Sequence, residues 1–396
     1  MAKLQHWTGT RSLTHAHSIE DLRLLARARL PKAVFDFIDG GSEDERTRQD
    51  NSGDFDEWRL LPRVGIDVSR RELGTTILGR SARLPLMISP TGLAGFFWRG
   101  GEMAAAAAAA KHNIPFCLST NSVASIEQVA EAVPDGERWF QLYFLRDRDW
   151  MKGLIRRAAD ANYRVLCLTV DLPISGRRER DLRNGFTMPL QFRLSNAFDM
   201  IRRPAWLMDV ARSNLTFGNF NMDGSSGFTA IAQHVASLFD PSATWDDIAE
   251  IRDLWRGPLA IKGILHPDDA VKAIGLGADA VIVSNHGGRQ LDHSPSVIAA
   301  LPEVVAAVGG RTEIILDGGV RRGTDILKAL ALGADACSIG RSYLWGLSAG
   351  GEAGVSRAID LLARELDNAM ALLGTPAITD IKRDHIRYRH AVREEK

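Results

Sequence analysis

Neither sign of charge dominates this chain: Lys and Arg together number 49, and so do Asp and Glu. It carries no basic stripe and no RNA-type aromatic motif, so nucleic acid is excluded as an expected partner. Cysteine is scarce. The three present, Cys117, Cys167 and Cys337, lie inside apolar strand-like runs without the spacing of metal ligands. They read as small core residues in a reducing compartment, and no metal is expected. Long apolar runs are missing too: no segment approaches the roughly 20 residues that span a bilayer. The alanine run from Ala104 to Ala110 is short and adjoins Lys111 and His112, so helix is its plain reading. The N-terminus is polar and has no apolar core of signal-peptide type. What is left is the composition of a soluble globular protein, 45% hydrophobic and 25% charged over 396 residues. That length holds one large domain or two ordinary ones.

What is present is a rhythm. Short apolar runs alternate with helix-like segments from residue 84 onward: Leu84–Pro90, Ile114–Thr120, Trp139–Leu145, Val165–Asp171, Pro258–Ile264, Ala280–Asn285, Glu313–Gly319 and Ala336–Arg341. Continuous apolar, β-branched runs read as strands buried on both faces, and strand–helix alternation gives a parallel sheet. Eight such units are the count that closes a (β/α)8 TIM barrel. An internal echo supports repetition: Leu276-Gly277-Ala278-Asp279-Ala280 enters the sixth run and Leu332-Gly333-Ala334-Asp335-Ala336 the eighth.

Ahead of the barrel, residues 1–80 read as a helical cap. Ser18 and Asp21 open a helix over roughly Ile19 to Leu30, and Pro31 opens a second that stops at Gly40-Gly41, followed by a polar stretch to about Asp56. The barrel is expected over 84–345, interrupted after the fourth strand by a long insertion, 187–244. Within it Phe198, Met200, Ile201, Trp206, Leu207 and Met208 are interleaved with Arg202, Arg203 and Arg212, a mixture that suits a membrane surface, a lid or a neighbouring subunit. A final helix over 351–374 carries Val355, Ile359, Leu362, Leu366, Ala369, Met370 and Leu373 at helical spacing and ends at Gly374.

In such a barrel chemistry gathers at the C-terminal ends of the strands. Those ends carry Thr91 and Gly92, Ser119, Gln141 and Tyr143, Thr169 and Asp171, Lys262, His286 and Arg289, Asp317, and Gly340 with Arg341. The stretch Ser284-Asn285-His286-Gly287-Gly288-Arg289-Gln290-Leu291-Asp292 follows a buried strand, placing a proton acceptor and a carboxylate-gripping fork in one loop. Asp171 is within reach to orient His286. The turn Asp317-Gly318-Gly319-Val320-Arg321 and Gly340-Arg341 occupy the usual phosphate site of the fold. Lys262 reads either as a Schiff-base lysine of an aldolase-type barrel or as a cation beside an electron-rich ring.

Together these pieces resemble the FMN-dependent L-2-hydroxy acid dehydrogenase/oxidase family over about Ile19 to Leu373. The motifs are Leu30-Pro31-Lys32, Phe140-Gln141-Leu142-Tyr143, Thr169-Val170-Asp171, Ser284 through Asp292, and Asp317-Gly318-Gly319. The length of the insertion resembles most the lactate and mandelate dehydrogenases. The resemblance implies FMN as cofactor and oxidation of an L-2-hydroxy acid, with His286 as base and Asp171 its partner. It puts Arg178 and Arg289 on the substrate carboxylate, Tyr143 on the substrate, and Lys262 against the flavin. It assigns Pro90, Thr91, Gly92, Ser119, Gln141, Thr169 and Ser284 to the flavin's surroundings and Asp317 to the ribityl hydroxyls. Gly318, Gly319, Arg321, Gly340 and Arg341 fall to the phosphate. One position departs: where the family has a Tyr whose hydroxyl helps bind the carboxylate, this chain has Phe37, and Phe35 cannot replace it. The expected electron acceptor is a quinone, with oxygen as the alternative. The expected setting is a cytoplasmic homotetramer touching the inner face of the membrane through 187–244.

Overall fold

The computed structural model describes residues 12–185, 194–213, 215, 217–220 and 238–389. The expectation for the first eleven residues, and part of that for the insertion, lies outside them. Each of the eight apolar runs contains a strand: β1 (Leu86–Ile88), β2 (Phe116–Ser119), β3 (Arg138–Tyr143), β4 (Val165–Thr169), β5 (Leu259–Ile264), β6 (Ala280–Ser284), β7 (Glu313–Asp317) and β8 (Ala336–Ile339). All neighbours pair in parallel, and β8 returns to β1 through Cys337 opposite Leu86, so the sheet closes into a barrel. Most strands stop short of their apolar runs. Pro90, Thr120, Asp171, Asn285, Gly319 and Arg341 therefore lie just beyond the strand ends, in the loops at the barrel's mouth.

Because side chains alternate across a strand, every second residue faces the barrel axis. Met87, Cys117, Trp139, Val165, Cys167, Ala260, Ala280, Ile282, Ile315 and Ala336 form one buried cluster inside, small alanines making room for Trp139. The cysteines are free and buried, as their apolar flanks imply. Continuing the same columns by two residues reaches Ser89, Ser119, Gln141, Thr169, Lys262, Ser284, Asp317 and Ser338, all buried. Polarity switches on along each column towards the C-terminal end, and that switch makes a site there. At the opposite end a hairpin (Thr75–Ile77 with Arg80–Ala82) closes the floor, with Ile77 fully buried.

The echo has a physical reason. Asp279 accepts a hydrogen bond from the backbone of Leu259 (2.8 Å) and Asp335 one from Ile314 (2.7 Å), so each aspartate ties its turn to the neighbouring strand. Both preceding glycines, Gly277 and Gly333, have positive φ.

The N-terminal helices run over Ile19–Arg29, capped by the Ser18 hydroxyl, and Lys32–Asp39. The polar stretch after Gly41 is not extended loop: Arg46–Gly53 is a helix, followed by a single turn over Asp54–Glu57. Its first turn is capped from afar by Asp292, which accepts from the backbone of Thr47 (2.8 Å) and Arg46 (3.2 Å). In the insertion, Leu194–Ile201 and Pro204–Ala211 are helical and dock on the cap. Arg29 pairs with Asp209, Arg203 donates to the carbonyl of Ala28, and Trp206 donates to that of Phe96. Trp206 is thus buried, and Met200 and Leu207 pack partly against the core, whereas Phe198, Ile201 and Met208 are exposed. Of these six apolar residues, half face outward. Two helices meet at Gly350 and Gly351, whose backbone is not helical: the first starts at Arg341, and the second carries the periodicity read over 351–374 and is capped by Gly374.

Candidate active site

A buried ion pair sits at the head of the inward columns. Lys262 Nζ lies 2.8 Å from an Asp317 carboxylate oxygen and donates to Ser284 Oγ at 2.9 Å. Ser284 and Ser89 each donate to Asp317 at 2.8 Å. Burial alone would push the Lys262 ammonium down, but the charges of Asp317 and Asp171 outweigh it and hold it above the ordinary lysine range. Burial likewise opposes ionisation of Asp317, yet Lys262 and the two hydroxyls keep it below the usual carboxylate value. Lys262 is thus a fixed cation.

Beyond β6 the backbone enters three consecutive left-handed residues, His286 (φ 56), Gly287 (φ 68) and Gly288 (φ 71). For histidine this conformation costs on the order of 1 kcal/mol and persists only under restraint. Here the restraint is visible: His286 N–H donates to Ser284 Oγ, and its Nδ1 lies 2.9 Å from Asp171. Asp171 is buried, which disfavours its charge, but His286 and Lys262 hold its carboxyl below the usual range. An ionised Asp171 demands the proton on Nδ1, leaving the Nε2 lone pair free. Nε2 faces the Tyr143 hydroxyl at 3.5 Å, and Phe239 packs edge-on against Tyr143. Gly263 makes room for this arrangement: its φ is 106°, and a Cβ there would fall 2.7 Å from that of Asp171.

Two guanidinium groups share the cavity with His286. Arg178 is braced by Asp181 at 2.8 Å, and Arg289 donates to the Phe37 carbonyl. Burial and then the charge of Arg178 push Arg289 down to about 10. The Phe37 ring lies beneath both, its centroid 4.8 Å from Arg289 and 5.8 Å from Arg178. Phe37 therefore supplies a π face where a hydroxyl is absent. Paired, desolvated cations at an open cavity favour an anion with two oxygens.

At the other end of the cavity lie Gly318, Gly319, Arg321, Gly340 and Arg341. Gly319 has φ 75, and a Cβ there would sit 1.8 Å from the Asn51 carbonyl oxygen, so no other residue fits. Arg321 stacks on Trp345 at 4.7 Å, and burial pushes it down to about 10. Arg341 lines the cavity and also ties its walls together. Its guanidinium donates to the carbonyls of Ile38 (3.0 Å), Gly287 (2.8 Å) and Gly40 (2.6 Å), strapping the cap to the loop that carries His286.

Pro90, Thr91, Gly92, Tyr143, Lys262 and Asp317 line the same cavity. Ser119, Gln141, Thr169 and Ser284 stand at the same level of the columns as Lys262 and Asp317, and Asp171 faces His286. Sequence reading missed Asn121, Phe217, Phe239 and Leu172 on the cavity wall. Phe239 returns from an insertion whose course no local pattern reveals, and Asn121 is one polar residue among several after β2. Among the described residues, Gln141 Nε2, Thr169 Oγ1, Asn121 Oδ1 and Ser338 Oγ are buried without a partner. Buried polar atoms are seldom left unpaired, so a polar ligand belongs at this ring.

Comparison with known proteins points the same way. A family model described as FMN-dependent dehydrogenase matches residues 26–388. The chain is 44% identical over 360 residues to an L-lactate oxidase of Nostoc sp., covering 90% of this chain and 94% of that protein. It is 42% identical over 370 residues to the (S)-mandelate dehydrogenase of Pseudomonas putida, covering 93% of each. A crystal structure described as the monotopic membrane protein (S)-mandelate dehydrogenase superposes with a TM-score of 0.91 at 41% identity, covering 94% of this chain and all of that one.

Proposed function

The chain belongs to the FMN-dependent dehydrogenase family, and from that membership we propose that it oxidises a 2-hydroxy acid to the 2-oxo acid. One observation carries the assignment of roles. The imidazole fixed by Asp171 and the guanidiniums of Arg178 and Arg289 open onto one cavity with Lys262 and the Gly318-Gly319 turn. FMN, when bound, supplies the two-electron acceptor. The residues fit it. The unpartnered amide of Gln141 and hydroxyl of Thr169, with Ser119, Pro90, Thr91 and Gly92, suit a flat heterocycle. Lys262 suits its anionic edge, Asp317 the ribityl hydroxyls, and Gly319, Gly340 and Arg321 a phosphate.

Toward the substrate, Arg178 and Arg289 hold the carboxylate and thereby orient the 2-hydroxyl to His286 Nε2. His286 takes the hydroxyl proton there, and the C2–H bond breaks, its hydrogen and electron pair leaving for the acceptor that FMN would supply. Asp171 keeps the imidazole in the tautomer that can accept the proton. Tyr143 donates to the substrate oxygen as charge develops. The aldolase reading of Lys262 is set aside, because a Schiff base needs a neutral amine and this ammonium is held charged by two carboxylates.

The test is anaerobic bleaching of the bound flavin by glycolate, lactate, mandelate and a longer 2-hydroxy acid. At least one should bleach it; none doing so would sink the reading. Phe37→Tyr should lower KM for lactate about tenfold, since a hydrogen bond to a charged group contributes about 1.5–3 kcal/mol. An unchanged KM would show that the π face already compensates.

For the acceptor, we propose a quinone reached from a membrane surface. Phe198 and Ile201 are 61% and 69% exposed beside Arg202 and Arg203, and a 41%-identical relative is described as monotopic. Changing Phe198, Ile201 and Met208 together to Ser should abolish co-sedimentation with anionic vesicles and leave anaerobic bleaching intact. Equal sedimentation would end the membrane proposal.

A further inference from the structure

Asn51 does not line the cavity, yet its side chain is hydrogen-bonded through both its oxygen and its nitrogen. It comes from the polar helix Arg46–Gly53 of the cap and is 2% exposed. Its Nδ2 donates to Asn285 Oδ1 at 2.8 Å, and Asn285 Nδ2 donates back to Asn51 Oδ1 at 2.9 Å. The two amides form a closed, buried pair.

The orientation of both amides is dictated by their neighbours. Val297 N–H points at Asn51 Oδ1 (3.1 Å), and Gly288 N–H at Asn285 Oδ1 (3.2 Å), so these atoms must be oxygens. The Pro295 carbonyl accepts from Asn285 Nδ2 at 3.0 Å, which must be nitrogen. Rotating either amide would set oxygen against oxygen.

The position of the pair matters more than its strength. Asn285 directly precedes His286, and its side chain closes the turn in which His286, Gly287 and Gly288 are all left-handed. On its other side the backbone oxygen of Asn51 packs against Gly319, whose missing Cβ is what lets them meet. Asn51 thus bridges the turn that carries the imidazole and the turn read as the phosphate cradle.

We propose that Asn51 is a positioning residue: it holds His286 in its left-handed, Asp171-facing conformation and couples that conformation to occupancy of the Gly318-Gly319 turn. The inference rests on His286 being the base. It extends that reading to a residue more than two hundred positions away in the chain. Occupying the cradle presses on the Asn51 backbone, and the amide pair carries the constraint to the base.

The isosteric Asn51→Asp tests this without opening a cavity. A carboxylate cannot donate to Asn285 Oδ1, so the pair opens while the volume stays the same. Circular dichroism should be unchanged. In the holoenzyme kcat should fall about a hundredfold, the scale of an ångström-sized misplacement, with KM within threefold of wild type. The flavin-free protein should bind FMN about tenfold more weakly by fluorescence titration, an effect on the scale of one hydrogen bond. Should Asn51→Asp fail to fold, Asn285→Asp breaks the same pair from the other side and should show the same split. A lower melting temperature with wild-type kcat and FMN affinity would overturn the proposal and make the pair merely structural. His286→Ala run alongside separates the two readings: if that variant is dead while Asn51→Asp is normal, only the positioning role fails.

Discussion

His286→Ala is expected to purify yellow, with FMN bound, and to be bleached by substrate about 10²–10⁴-fold more slowly than wild type, the usual contribution of a positioned proton acceptor. The argument is geometric. Nε2 is the one ring nitrogen left open, because Nδ1 is committed to Asp171 at 2.9 Å. Neither Tyr143 nor Lys262 can replace it: burial pushes the Tyr143 hydroxyl well above its ordinary value, and Lys262 is held charged. Stability should fall somewhat, since the change leaves the buried Asp171 carboxylate without its Nδ1 partner. His286→Asn is the companion variant, because asparagine tolerates the left-handed backbone better than alanine. Both should retain substrate affinity through Arg178 and Arg289. The measurement is stopped-flow reduction under anaerobic conditions. Bleaching within a factor of about three of wild type in either variant would remove His286 from the mechanism.

How much of this was legible in the chain depends on where each feature gets its stability. The barrel strands were legible because they are buried on both faces, so their sequences are apolar at every position. The polar heads of the inward columns were legible for the same reason, since Lys262, Ser284 and Asp317 interrupt otherwise apolar runs. Helix Arg46–Gly53 was not. Its sequence has no apolar face and forms because Asp292, far along the chain, caps its first turn. What covers Trp206, Met200 and Leu207 is not legible, because amphipathic spacing does not say what packs on it; here the cap and barrel do. Arg341 shows the subtler limit. Its place after β8 is readable, but its use as a strap depends on carbonyls of Ile38, Gly40 and Gly287 that only the fold brings together. Local pattern finds groups with a job at a strand end. It does not find groups, such as Asn51, whose job is to hold another loop.

Lys262→Met carries the largest expected effect on stability, and its pH dependence identifies the cause. In the native protein Lys262 and Asp317 are 5% and 8% exposed and lie 2.8 Å apart. Removing one partner of a buried pair leaves an uncompensated charge and costs about 3–5 kcal/mol. The sign with pH follows from the shifts. Asp317 is depressed in the native fold, so its contribution is present above the unfolded carboxylate value of about 3.9 and is lost only as pH falls through its lower folded value. Lys262 is raised, so its contribution persists until pH climbs through its folded value, above the ordinary lysine range. Between about pH 5 and 8 the native pair is therefore insensitive to pH. Without Lys262 the leading influence on Asp317 is burial, which raises it. A raised carboxyl stabilises below its unfolded value and loses that contribution as pH rises through its folded value. The deficit of Lys262→Met relative to wild type should then be small near pH 4.5 and grow towards pH 7.5, measured by urea unfolding of the flavin-free proteins. Adding Asp317→Asn should recover much of the loss and flatten the pH dependence, because the carboxylate that Lys262 met at 2.8 Å is then gone. A deficit that is uniform across the pH range would mean that Lys262 acts by packing, and the electrostatic account of the barrel's polar mouth would fail with it.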